Sequence, residues 1–193
     1  MRWSSRGSPA QAAATRCLVG VLLPDPPDLR IDLGPAAAGG QAQLLGLRNL
    51  DDLMQLWSDL RGSAPLPLHS AFGPELLRPW LPNIAIVEVH RGAKRFYYRL
   101  AGSGLGTRYD TNFTGRWLED MRINGSPGYW EANYAACTTE RAPRLGAVPR
   151  FDDAFNQRAC SWLMLPLEPD LPPRGGPGPL DLVILTCVHF NGG

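Results

Sequence analysis

Residues 83–118, NIAIVEVHRGAKRFYYRLAGSGLGTRYDTNFTGRWL, hold the pattern that decides the fold. Asn83–His90 and Arg95–Ala101 are apolar runs rich in β-branched and aromatic residues, and Arg91–Lys94 between them is a charged, glycine-containing turn. That spacing predicts a β-hairpin. In the second run Phe96, Tyr98 and Leu100 alternate with Tyr97 and Arg99; in the first, Ile84 and Ile86 alternate with Ala85, Val87 and Val89. Both faces are apolar, so the sheet is expected to be covered on both sides. The following GSGLG (Gly102–Gly106) approaches a dinucleotide fingerprint, but Thr107 stands where the GxGxxG spacing needs glycine, and no long helix or βαβ unit follows. The nucleotide reading is rejected. Thr114-Gly115-Arg116 reads as a turn opening a helix with Trp117, Leu118 and Met121.

Downstream, residues 127–140 predict the longer helix of this half, with Tyr129, Trp130, Asn133, Tyr134 and Cys137 on one face. Residues 141–153 read as an edge or broken strand limited by Pro143 and Pro149, and 157–167 as a stronger strand with Cys160, Trp162 and Met164 on one face. EPDLPPRGGPGP (168–179) reads as a flexible loop. Leu180–Phe190, the most apolar run, is expected at the centre of the sheet. The hairpin and these three strands give an α+β fold, a five-stranded antiparallel sheet with short helices on one face.

Upstream, residues 1–48 are rich in Ala, Gly, Pro, Ser and Gln and predict a disordered tail. Its apolar run Cys17–Leu23 is too short to span a bilayer and lacks a clean cleavage site, so neither a membrane anchor nor a secretory signal is expected. Residues 49–82 form a lead-in. In 49–62, Leu50, Leu53, Met54, Trp57 and Leu60 recur at helical spacing, with Asn49 as the cap, and this amphipathic helix is the expected second cover of the sheet. It serves either self-association, through Leu53 and Trp57, or packing on its own domain. Residues 63–82 carry five prolines and cross the surface in extended form. The domain proper spans 83–190.

The formal net charge of +1 argues against a nucleic-acid footprint. Of the 19 basic residues only Lys94 is lysine, which reads as coding bias rather than phosphate recognition. Cys17, Cys137, Cys160 and Cys187 lie far apart with no CxxC pair, and His69, His90 and His189 are scattered, so the chain carries no metal signature. Free thiols suit a reducing cytoplasm. No nucleophile with a nearby base is recognisable, and Asp110, Glu119, Asp120, Asp152 and Asp153 form no carboxylate pair, so no enzyme is expected.

The element order resembles a PAS domain, closest to the compact, near-solitary group common in alphaproteobacteria. The residues that carry the resemblance are LWSDLRG ending in Arg61-Gly62, Leu66-Pro67, Phe72-Gly73-Pro74, Leu81-Pro82, FYYRLAGS at Phe96–Ser103, Thr114-Gly115-Arg116 and Leu165-Pro166-Leu167. Together they cover about residues 50–190. The resemblance implies a bacterial signalling module that binds a small molecule in a core cavity and relays through protein contacts, as a homodimer or with a protein partner. A ligand-free interaction or dimerisation module is the alternative. It implies no particular cofactor: the flavin-type cysteine motif is absent, and the longer helix has no histidine for haem.

Aromatic walls with one or two polar handles make small-molecule sites, which selects Tyr98, Arg116, Trp117, Tyr134 and Trp162 as candidate cavity lining. Arg116 alternatively holds a loop by bonding carbonyls. Arg99 falls on the opposite strand face from Tyr98 and is assigned to an ion pair or an interface.

Overall fold

The structure, a computed structural model, describes residues 30–32, 41–91, 95–121, 127–148 and 160–190. Seven strands are described: β1 (Arg30–Asp32), β2 (Ile84–His90), β3 (Arg95–Ala101), β4 (Arg116–Trp117), β5 (Arg144–Val148), β6 (Cys160–Leu167) and β7 (Leu180–Phe190). They form one sheet in the order β1-β5-β6-β7-β2-β3-β4, antiparallel except for β1 beside β5. The described helices are α1 (Gln41–Arg61), α2 (Pro74–Leu77), α3 (Ser103–Tyr109) and α4 (Pro127–Glu140). Short 3-10 turns occupy His69–Ala71, Leu81–Asn83 and Leu118–Asp120.

β7 holds the middle of this order, and its apolar length is satisfied by a neighbour on each edge and a layer on each face. Among the described residues the strand count is seven rather than five. β1 falls in the expected tail, where three residues are too few to show an alternating pattern. β4 corrects the expected helix at Trp117: the Gly115 N–H donates to the Tyr98 carbonyl at 2.8 Å, turning Arg116 and Trp117 back to pair with Tyr98 and Tyr97. Only the 3-10 turn Leu118–Asp120 follows.

Register separates the two faces. Trp162, Met164, Thr186 and Val188 share one face with Val87, Tyr98 and Phe96, and α4 packs there through Trp130, Tyr134 and Cys137. The opposite face carries Leu163, Leu165, Leu167, Val183 and Leu185 and is covered by α1. Leu50, Leu53 and Trp57 of α1 are buried against it, and the Trp57 indole N–H donates to the Pro166 carbonyl at 2.9 Å. Full burial of such side chains stabilises by about 1.5–3 kcal/mol each. Helix α1 begins eight residues before Asn49, which is therefore an interior helix residue rather than a cap. The physical reason is in QAQLLGLR (41–48): Ala, Gln, Leu and Arg favour helix, and no proline occurs from 36 to 64. The rest of the expected tail lies outside the described residues.

The loop 168–179 is not loose; it is a pinned strap. The Glu168 N–H donates to the Pro67 carbonyl at 2.9 Å, and the His69 N–H donates to the Glu168 carbonyl at 3.0 Å. The Ser70 N–H (3.0 Å) and hydroxyl both donate to the Asp170 carboxylate, and Arg141 pairs with Glu168 at 2.6 Å. Pro and Gly composition signals absence of helix and strand; it is silent about polar anchors supplied from elsewhere in the chain.

Candidate functional site

On the α4 face of the sheet, β3 presents Tyr98 and Phe96, β7 presents Thr186, β6 presents Trp162, and α4 presents Trp130 and Tyr134. The two tyrosine hydroxyls lie 3.1 Å apart, and the Thr186 hydroxyl donates to the Tyr134 oxygen at 3.4 Å. The Tyr134 ring centroid is 5.3 Å from Phe96, and Trp130 and Trp162 stand 5.9 Å apart. Phe113 closes on Tyr98 at 5.4 Å. The Trp162 indole N–H donates to the Tyr129 hydroxyl at 3.0 Å. Three hydroxyls therefore meet inside a shell of aromatic rings.

Burial pushes the Tyr98 phenol well above its ordinary pKa, with Tyr134 adding to the effect. Burial also raises Tyr134, partly offset by its bonds to Thr186 and Tyr98. Both are neutral phenols at pH 7, able to donate and accept one hydrogen bond or more. The Cys137 thiol on α4 is pushed up to about 12 by burial, so it is not a thiolate. The cluster offers aromatic faces and neutral hydroxyls, and none of these groups exchanges a proton readily at neutral pH. Among the described residues no three His, Cys, Asp or Glu side chains gather as a metal site.

Three of the five lining candidates, Tyr98, Tyr134 and Trp162, come together here. The other two do not. Trp117 lies on the opposite face, 5.2 Å from Tyr97 and 5.0 Å from His90, with the Arg95 guanidinium 4.0 Å over its ring. Register explains it: Trp117 pairs with Tyr97, not Tyr98. Arg116 is exposed and donates to the Asp120 carbonyl at 3.1 Å, the loop-holding role. Leu53 and Trp57 are core residues of this chain, so this fold leaves them no free face for a partner. Two open surface grooves flank α3. One of about 490 Å³ is lined by Ser103, Thr107, Asp110 and Phe113, and one of about 360 Å³ by Asn83, Arg108, His189 and Phe190.

Arg99 occupies a bulge, since Ile86 pairs with Leu100 and Val87 with Tyr98, leaving it without a partner across β2. Its guanidinium meets Glu88 at 2.7 Å. Glu88 has no exposed surface, and it also accepts from the backbone N–H groups of Arg174 and Gly175, each at 3.0 Å, and contacts His90 at 3.3 Å. Burial raises the Glu88 pKa, but Arg99, the two N–H groups and His90 outweigh it and hold the carboxyl below its ordinary range. Sequence reasoning passes over Glu88. The available signal is a lone carboxylate inside IAIVEV, whose apolar neighbours on both sides require burial and hence a partner.

The fold is α+β, an antiparallel sheet with helices packed on its faces. The family model for the PAS domain matches residues 47–148, more than half of the chain, and the chain belongs to the PAS domain family, a sensory and signalling family. The matched segment runs from α1 to β5, and β6 and β7 complete the same sheet beyond it. No curated protein and no solved structure matches the chain. No helix among the described residues is long and apolar enough to cross a membrane.

Proposed function

We propose that the chain is a non-catalytic sensory PAS module, of the compact group common in alphaproteobacteria, that takes a small molecule between the sheet and α4. It relays the bound state through protein contacts, in the cytoplasm, as a homodimer or with a protein partner. The observation that carries this is the meeting of the Tyr98, Tyr134 and Thr186 hydroxyls within the Phe96, Trp130 and Trp162 rings. A flat, largely apolar molecule with one hydrogen-bonding group matches those walls and those handles. It would enter by displacing the Tyr98–Tyr134 bond. No haem, flavin or metal is part of the proposal.

Native mass spectrometry of freshly purified protein tests it, reporting retained ligand and oligomeric state together. A thermal-shift screen across a metabolite panel follows, with stabilisation expected to grow as ligand exceeds its dissociation constant. Tyr134→Phe should weaken the response. A bare mass and a flat screen would favour the second reading, a ligand-free interaction module. That reading is supported by the same contacts, because the hydroxyls already satisfy one another.

A further inference from the structure

We infer that the β6–β7 strap, residues 168–179, is a releasable cover over the outer face of β2 and β3, latched by the buried carboxylate of Glu88. The inference holds whether or not the core takes a ligand.

The strap is held by polar anchors rather than by a buried apolar surface. Glu168, Asp170, Leu171, Pro172 and Arg174 are exposed, and of residues 168–179 none is buried. At one end Asp170 is bonded to Ser70. At the middle, the Arg99 guanidinium bridges the two layers, donating to the Pro172 carbonyl at 2.8 Å and to Glu88 at 2.7 Å. Beyond it, Glu88 receives the successive N–H groups of Arg174 and Gly175 at 3.0 Å. The Arg174–Gly175 peptide is thereby drawn down onto the sheet, with Gly175 directly over Tyr97 and His90. A Cβ at position 175 would lie 2.6 Å from Tyr97 Cγ and 2.7 Å from His90 Nε2, so only glycine lets the backbone come this close.

Such a latch holds but opens at modest cost. A buried charge pair gains little net free energy, because its mutual attraction is set against lost hydration. Lifting the strap returns Glu88, Arg99 and two peptide groups to water together, so no charge is stranded in the open state. Gly176 and Gly178, at φ 152° and 124° with open space around them, supply pivots next to the latch. Opening bares a charged, aromatic surface made of Glu88, Arg99, His90 and Tyr97.

Amide hydrogen exchange on the full chain tests the latch, through two variants that attack it from opposite sides. Glu88→Gln removes the charge from beneath, and Gly175→Ala pushes the strap off from above while leaving the carboxylate intact. Each should speed exchange in residues 170–176 by about tenfold or more, the scale expected for loss of a charge-assisted bond. Exchange across β6 and β7 should stay at the wild-type rate, and trypsin should cut faster after Arg174. Unchanged strap protection in both variants overturns the proposal. So does equal acceleration throughout β6 and β7, which would make Glu88 a determinant of the whole sheet rather than of its cover.

Discussion

Glu88 and Arg99 show how single residues shape this molecule. A carboxylate without solvent exposure must recover from its neighbours what water would have supplied. Here one guanidinium, two peptide N–H groups and an imidazole do so. Arg99→Ala removes the charged partner and leaves the carboxylate buried, so a loss of about 3–5 kcal/mol in urea denaturation is expected. The pH dependence has a definite sign. The folded-state pKa of Glu88 is depressed, so its contribution is fully present above the ordinary carboxylate value of 4.5 and is lost as pH falls through the lower folded value. Acid denaturation of the native protein should therefore show a contribution from this site that Glu88→Gln abolishes. On the other face, Tyr134→Phe leaves the Tyr98 and Thr186 hydroxyls without their shared partner, and a loss of about 1–2 kcal/mol is expected in the same measurement. The ion-pair role of Arg99 was legible from strand alternation. Its partner was not, because the apolar neighbours of Glu88 in IAIVEV signal its burial but not which groups, here Arg99 and the strap N–H groups, satisfy it.

Among the elements, α3 explains what GSGLG is for. Gly102 abuts the carbonyl of Leu81, and a Cβ there would also sit 2.5 Å from the Pro82 carbonyl carbon. Backbone cannot step aside as a flexible side chain can. Gly102→Ala should cost about 1–3 kcal/mol by forcing α3 off the Leu81–Asn83 turn, measurable as a lowered melting temperature by circular dichroism. Gly102 and Gly104 thus serve a close approach of two chain segments, a role that the rejection of a nucleotide loop from the sequence left unassigned. Helix α4 was the most legible element, since Trp130, Asn133, Tyr134 and Cys137 mark a buried stripe at helical spacing. The strap was the least legible. Its anchors, Pro67, Ser70, Glu88 and Arg99, lie about 70–100 residues away in sequence, and no local pattern announces them.

At the scale of the whole molecule, a two-faced sheet needs two layers, and α1 supplies the one that α4 does not. Leu53→Ala and Trp57→Ala are expected to cost about 2–5 and 3–5 kcal/mol respectively, because each empties a fully enclosed site. Light scattering run beside thermal melts separates this from a dimer-interface role. Loss of cooperative folding is the expected outcome, and a stable, folded monomer would mean that these side chains face a partner instead. Hydrophobic periodicity by itself determined the four strands at 83–90, 95–101, 157–167 and 180–190, the central place of Leu180–Phe190, the helix at 127–140 and the presence of an amphipathic helix ahead of the hairpin. Each follows from alternation or helical spacing that any buried face imposes on its own segment. Only the tertiary structure decided which aromatic residues share a face, that Trp117 leaves the Tyr98 cluster, and that residues 168–179 are tied to Glu88. Strand register and long-range hydrogen bonds set those outcomes, and a shift of one residue in register moves a side chain through the sheet. The hairpin of residues 83–118 thus specifies both of its faces, while what lies against each face is specified by the rest of the chain.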